Sequence, residues 1–206
     1  MERLTVSPQH QDPASWSPDG KYLLYVEDSP NTDADIWVLD MTSSPPAPRV
    51  LISTPARELY PMISPDGRWL AYVSNESGRR EVYVDRFPDL GARQQVSREA
   101  GDEPLWSPAG SELFYTSADS TTGVPSVWVV EVTPGPELRL GAPRLLFRGG
   151  SNTTGTALGR PRYDVTRDGR RFLIVHAGDQ PPPSLEFVVV LNWFDELKRR
   201  VGPVKE

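Results

Sequence analysis

Four short stretches hold the side chains best suited to polar chemistry: Gln11 and Asp12, Glu58 and Tyr60, Asp102 and Glu103, and Arg160 and Arg162. Each lies just ahead of a recurring turn motif, so a fold that gathers the motifs gathers these side chains as well. Carboxylates in three stretches and arginines in the fourth suit the gripping of a peptide terminus or a basic segment, because charge-assisted hydrogen bonds are the strong ones. The same residues also suit solvated or mutually paired charges around a rim. An Asp recurring ahead of a strand serves equally to brace a turn. The sequence leaves both readings open.

Other chemistries find little support. His10 and His176 are the two histidines, and His176 follows an apolar run where a structural imidazole is expected. Asp33 and Asp35 in Asn31-Thr32-Asp33-Ala34-Asp35 have part of the spacing of an oxygen-rich cation loop, without its later bidentate acid. A polar hairpin turn is the plainer account of them, and no metal or cofactor is assigned. There is no Gly-x-Ser-x-Gly elbow, no His-Glu-x-x-His helix, no phosphate-cradling glycine loop, no His-Arg-Asp and no Asp-Phe-Gly. The chain reads as no enzyme. With no cysteine, neither disulfides nor Cys-bearing metal sites are available. A net charge of −6 with no basic cluster argues against nucleic acid. No run approaches the roughly 20 apolar residues of a membrane span, so no membrane insertion by this chain is expected.

The elements that must position these side chains announce themselves by repetition. Trp16-Ser17-Pro18-Asp19-Gly20 returns as Ile63-Ser64-Pro65-Asp66-Gly67, as Trp106-Ser107-Pro108-Ala109-Gly110, and in worn form as Val165-Thr166-Arg167-Asp168-Gly169. The intervals are 47, 43 and 59 residues. Proline presets the first corner of a turn and glycine supplies its left-handed residue. Strand-rich repeats of about 40–45 residues mark the blades of a propeller. The sequence therefore predicts an all-β chain of about four blades, each of four antiparallel strands, possible as part of a larger propeller.

Blade boundaries are expected at 12–53, 58–98 and 102–148, with an incomplete blade at 160–191. The innermost strands are placed at Ala14–Ser17, Pro61–Ser64, Pro104–Ser107 and Arg162–Thr166. The loops entering them carry the polar side chains named above. Second and third strands such as Trp69–Val73 and Val127–Val130 are apolar almost throughout, as in a sheet covered on both faces. The outer strands Arg49–Ile52, Arg93–Val96 and Arg144–Phe147 carry arginine and glutamine, which discourage edge pairing. Trp and Tyr residues at 16, 25, 37, 69, 72, 83, 106, 115 and 128 recur in phase with the blades and read as core.

Residues 1–8 fall in the slot of an outer strand, because Leu4 precedes Asp19 by the spacing that separates Leu51 from Asp66. That strand would complete a preceding or closing blade. Beyond a strand at 186–191, Asn192 caps a short helix at 192–201, with Trp193, Leu197 and Val201 on one stripe.

The stretch Asp12…Trp16-Ser17-Pro18-Asp19-Gly20-Lys21…Leu24-Tyr25…Asp35-Ile36-Trp37 resembles the WD-like β-propeller repeat of the TolB C-terminal domain. Tyr60…Ser64-Pro65-Asp66-Gly67-Arg68…Ala71-Tyr72-Val73-Ser74…Gly78…Glu81-Val82-Tyr83 resembles it more closely, and the likeness covers about 12–190. Ala109 and Arg167 depart from the pattern. The ending Val188–Lys198 is similar to the C-terminus of propeller-bearing bacterial serine/threonine kinases. The resemblance implies a noncatalytic interaction or sensory module, the C-terminal part of a larger protein, with a protein or peptide partner. Six or more blades are usual in the family, so missing N-terminal blades or a homodimer of two arcs is implied. Such a parent would be extracytoplasmic if TolB-like or a membrane kinase, and cytoplasmic otherwise. Related propellers also gate peptidases of the prolyl oligopeptidase type, which is the rival reading.

Overall fold

The computed structural model describes residues 3–118, 125–133, 135, 137–149 and 160–174. The turn motif forms every corner between the first and second strands of a sheet. In the first copy the Gly20 amide donates to the Ser17 carbonyl (2.9 Å) and the Ser17 amide to the Tyr22 carbonyl (2.9 Å). The Ser17 hydroxyl donates to the Asp19 carboxylate (2.7 Å) and accepts from the Tyr22 amide (2.9 Å). Ser64 repeats this with Asp66 and Trp69, and Thr166 with Asp168 and Arg171. Ala109 removes the acceptor in the third copy, yet Ser107 still caps the Glu112 amide (3.1 Å). The hydroxyl is thus the constant, and the Asp orients it.

The Ser17 hydroxyl, and after it Lys21, pull the Asp19 carboxyl down to about 2. The four turn glycines have φ of 73, 75, 72 and 70°, where a Cβ meets the following carbonyl. A Cβ on Gly67 would lie 3.5 Å from Pro18 Cδ, and one on Gly110 3.8 Å from Pro65 Cδ. Successive corners therefore abut one another.

The first sheet comprises β1 (Gln11–Trp16), β2 (Tyr22–Ser29), β3 (Asp33–Asp40) and β4 (Ala47–Ile52), antiparallel and in that order. The second repeats the order with β5 (Glu58–Ile63), β6 (Trp69–Ser74), β7 (Glu81–Arg86) and a two-residue β8 (Gln94–Gln95). In the third, β9 (Asp102–Trp106), β10 (Glu112–Ala118) and β11 (Pro125–Thr133) are followed by β12 (Arg139–Leu140) and β13 (Arg144–Arg148). β13 takes the outer place along β11, while β12 pairs its end at Val132 and Thr133. β14 (Tyr163–Val165) and β15 (Phe172–Ile174) form a hairpin that opens the fourth unit.

Alternating side chains bind each sheet to both neighbours. Leu70 and Tyr72 pack toward the first sheet with Leu24, Ile36 and Val38. Ala71 and Val73 pack on the opposite side with Leu113, Tyr115 and Val130. Phe114 and Val129 meet Tyr163, Val165, Phe172 and Ile174. Each such side chain contributes roughly 1.5–3 kcal/mol on full burial. The Trp106 indole N–H, from β9, donates to the Met62 carbonyl of β5 (3.0 Å). The first strand β5 is in contact with both β1 and β9. These are propeller blades, stacked in chain order with the first strand innermost.

A clasp joins the second and third sheets at their edges. Arg68 donates to the Gly135 carbonyl (3.1 Å) and Gln94 to the Leu138 carbonyl (3.2 Å), and Leu138 is buried in the core between the sheets.

Three differences from expectation stand out. The innermost strands begin earlier than the prolines suggest, at Gln11, Glu58 and Asp102: Pro13 keeps its place opposite Tyr25 with a register shift just after it, while shifts step over Pro61 and Pro104 and pairing continues on both sides. Residues 3–7 form no strand; the segment 186–191, against which the closing strand would pair, lies outside the described residues. β12 carries no motif and is an addition to the repeat. The expected helix at 192–201 and His176 also lie outside the described residues. No helix occurs among the described residues, hence none long and apolar enough to cross a membrane.

Nothing lies within 4 Å of where a Cβ on Gly20 would sit, so Gly20→Ala carries the backbone penalty alone. Its free energy of unfolding is expected to fall by about 1–2 kcal/mol, read as a lower urea midpoint with an unchanged slope.

Candidate functional site

The innermost strands β5 and β9 each contain a residue that a side chain rarely permits. Tyr60 has φ of 52° and Glu103 has φ of 50°, and each directly precedes the proline of its bulge. Left-handed backbone at a bulky residue costs of order 1–3 kcal/mol and persists only where the surroundings impose it. Glu103 is held by the unit that follows it. The Arg162 guanidinium, just ahead of β14, pairs with Glu103 at 3.1 Å, and the Arg162 amide donates to the same carboxylate oxygen (3.3 Å). The same guanidinium lies near enough to the Tyr60 phenol to oppose its upward shift. Thr116 of β10 donates to the other Glu103 oxygen (3.2 Å), and the buried Tyr163 hydroxyl donates to the Glu103 carbonyl (2.9 Å).

Asp102 extends the cluster outward. One carboxylate oxygen accepts from the Glu103 amide (3.1 Å) and the other from Arg80 (2.7 Å), which comes from the start of β7. Side chains from the second, third and fourth units thus meet around one charged centre. Burial pushes the Glu103 carboxyl above the usual range, and Arg162 opposes that only in part. Burial, followed by the Asp102 charge, pushes the Tyr60 phenol up. Tyr163 stands well above its ordinary value for the same first reason. A buried carboxylate held this way has lone pairs and a charge matched to one arginine, and rearranges at a cost if that arginine is drawn away.

Four of the seven sequence-predicted residues therefore meet: Tyr60, Asp102, Glu103 and Arg162. The other three are placed differently. Asp12 lies 3.6 Å from His10 Nδ1, and its neighbour Gln11 donates to Glu27. Glu58 is not on a rim. It is wholly buried and accepts from Thr54 (2.6 Å) and Ser74 (3.3 Å), with burial raising its carboxyl. Its place at the head of β5, one residue before the bulge, turns it into the sheet. Arg160 is exposed.

Arg80, Thr116 and Tyr163 were not singled out from sequence. Arg80 and Tyr163 have no in-phase counterpart of their own chemistry in the other repeats, so the period gave no signal for them. The Asn31–Asp35 stretch is the β2–β3 corner. Thr32 donates to Asp35 (2.8 Å) and Arg57 lies 3.7 Å from Asp33. No group of three or more metal-ligating side chains occurs among the described residues.

Comparison with known proteins follows the same lines. The family model described as TolB beta propeller domain matches residues 2–179. The chain belongs to the TolB β-propeller family. The crystal structure of TolB from Acinetobacter baumannii superposes with a TM-score of 0.61 at 21% identity, covering 84% of this chain and 39% of that one. At that identity the likeness is one of fold. A Bacillus subtilis protein named as an uncharacterized peptidase, YuxL, is 30% identical over 108 residues, covering 49% of this chain and 16% of the relative. An uncharacterized protein of Agrobacterium fabrum is 29% identical over 106 residues, covering 51% of this chain and 35% of the relative. The chain thus spans a minor part of each relative's length.

The lifted Glu103 carboxyl sets the sign of a pH effect in this propeller. The folded protein holds that proton more tightly than the unfolded chain, so the side chain's contribution is full below the ordinary carboxylate pKa and is lost as pH rises through the lifted value. The stability of the parent minus that of Glu103→Gln is expected to be more positive at about pH 4 than at about pH 8, measured by urea unfolding at both.

Proposed function

We propose that this propeller is a noncatalytic interaction or sensory module within a larger bacterial protein, a TolB-like envelope protein or a propeller-bearing serine/threonine kinase. The convergence of Tyr60, Arg80, Asp102, Glu103 and Arg162 from three units carries this reading. Tyr60 and Glu103 are two of three non-glycine residues with positive φ among the described residues, the third being Asp33 at the β2–β3 corner, and such outliers collect at binding sites. The partner is a protein or peptide. Its basic group competes with Arg80 for Asp102, or its terminal carboxylate competes with Glu103 for Arg162.

Peptides selected on the full chain from a random display library test this. Their affinity is expected to fall about ten-fold or more for Asp102→Ala, a change at a partly exposed position, with the far-ultraviolet spectrum unchanged. Undiminished affinity for that variant would move the binding surface elsewhere.

The end faces support a larger assembly. Trp16 is 51% exposed, whereas Trp106 at the same repeat position is 5% exposed. Leu173 is 74% exposed where its counterpart Phe114 is 1% exposed. These surfaces are shaped to receive further blades, from a parent chain or from a second copy closing two arcs. The chain by itself is expected to associate in a concentration-dependent way, read by sedimentation. A strictly monomeric mass up to high concentration would argue against blade-to-blade closure.

The alternative is the gating propeller of a prolyl-oligopeptidase-type peptidase or another hydrolase, and it is favoured by the naming of the Bacillus relative as a peptidase. The flanking coding sequence separates the two, since a hydrolase domain or a kinase domain on the same polypeptide decides between them.

A further inference from the structure

Three stacked aromatic pairs occupy the same register in successive blades: Tyr25 with Trp37, Tyr72 with Tyr83, and Tyr115 with Trp128. In the second blade the pair is capped by the chain itself. The Arg93 guanidinium lies 3.9 Å from the Tyr83 ring centroid and is held by the Glu76 carboxylate. Arg93 immediately precedes Gln94, which pairs with Val84. In the third blade Arg144 pairs with Val129, the counterpart of Val84, so Pro143 stands where Arg93 would.

The consequence is visible beside Pro143. A cleft of about 450 Å³ opens there over Tyr115 and Trp128, walled by Pro143, Leu145, Arg98 and Glu99. Proline offers no guanidinium, and the aromatic floor is left for a cation from elsewhere. Indole is the strongest of the aromatic acceptors for a cation. Glu99 places a carboxylate on the wall, the part played by Glu76 one blade earlier. Arg98 and Arg148 also border the cleft, which disfavours a run of basic residues and favours an arginine with acidic neighbours.

We propose that this cleft is a second binding site, which takes an arginine side chain of a partner peptide in which acidic residues flank that arginine. The guanidinium stacks on Trp128 and pairs with Glu99, as Arg93 does internally on Tyr83 with Glu76. The site is separate from the Glu103 cluster and stands or falls without it.

The test uses the full chain and a blocked peptide, acetyl-Glu-Arg-Asp-amide, against the same peptide with neutral citrulline replacing arginine. The reporter is the Trp128 indole N–H resonance, assigned by its disappearance in Trp128→Phe. A saturable shift with the arginine peptide is expected, together with at least a five-fold weaker response to the citrulline peptide, on the order of a cation–π contribution. Glu99→Gln, at an exposed position, is expected to weaken binding several-fold. Pro143→Arg supplies the missing cation internally and is expected to abolish the response while the protein stays folded. No saturable shift, an equal response to citrulline, or undiminished binding by Pro143→Arg would overturn the assignment.

Discussion

Every sheet in this propeller has two apolar faces and therefore cannot be stable with either face in water. Leu70 and Ala71 are adjacent in one strand, yet they are buried in different cores against different neighbours. Stability consequently resides between blades as much as within them. A chain built this way gains most when a blade has a neighbour on each side, and the exposed Trp16 and Leu173 mark where that condition is unmet by the described residues. The hydroxyl-centred corners serve this requirement. They hold the first two strands of every blade at one angle, so that the next corner can rest against the last.

The charged cluster obeys the same constraint in polar form. Glu103 lies where two blades meet, and its carboxylate is satisfied from two sides, by Thr116 of its own sheet and Arg162 of the next. Burying a charge is costly unless it is paired and bonded. The left-handed backbone at Glu103 and Tyr60 is what aims those side chains across the blade boundary. Local strain is thereby exchanged for a contact between sheets that hydrophobic packing alone would not specify.

The fold was legible because its signal is periodic. The corner motif, the apolar second and third strands and the polar outer strands all agree in phase, and the structure follows them in three blades. What sequence did not show lies where the period is interrupted. Pro61 and Pro104 look like strand breakers, yet bulges carry the pairing past them, and Pro13 stays paired beside a third bulge; Glu58 thereby moves from an entrance loop into the sheet. Of the cluster, Tyr60, Asp102, Glu103 and Arg162 could be picked out because they sit just ahead of a motif. Arg80 comes from the far end of a different hairpin, and only the folded chain brings it beside Asp102. The cleft beside Pro143 was hidden for a related reason, since the arginine that caps the aromatic pair occurs in the second blade alone, with Pro48 and Pro143 at its place in the first and third.

The clasp formed by Arg68, Gln94 and the segment running to Leu138 has a mechanical implication. Hydrogen bonds from the second blade seize the excursion that leaves β11, so peeling the outer edge of the third blade also loads the second. The two blades should yield together under force or protease attack, as a doublet, whereas the first blade meets the second through apolar surface, the Ser15–Ile63 hydrogen bond and the Arg57–Asp33 pair, none of which grips an excursion from its outer edge.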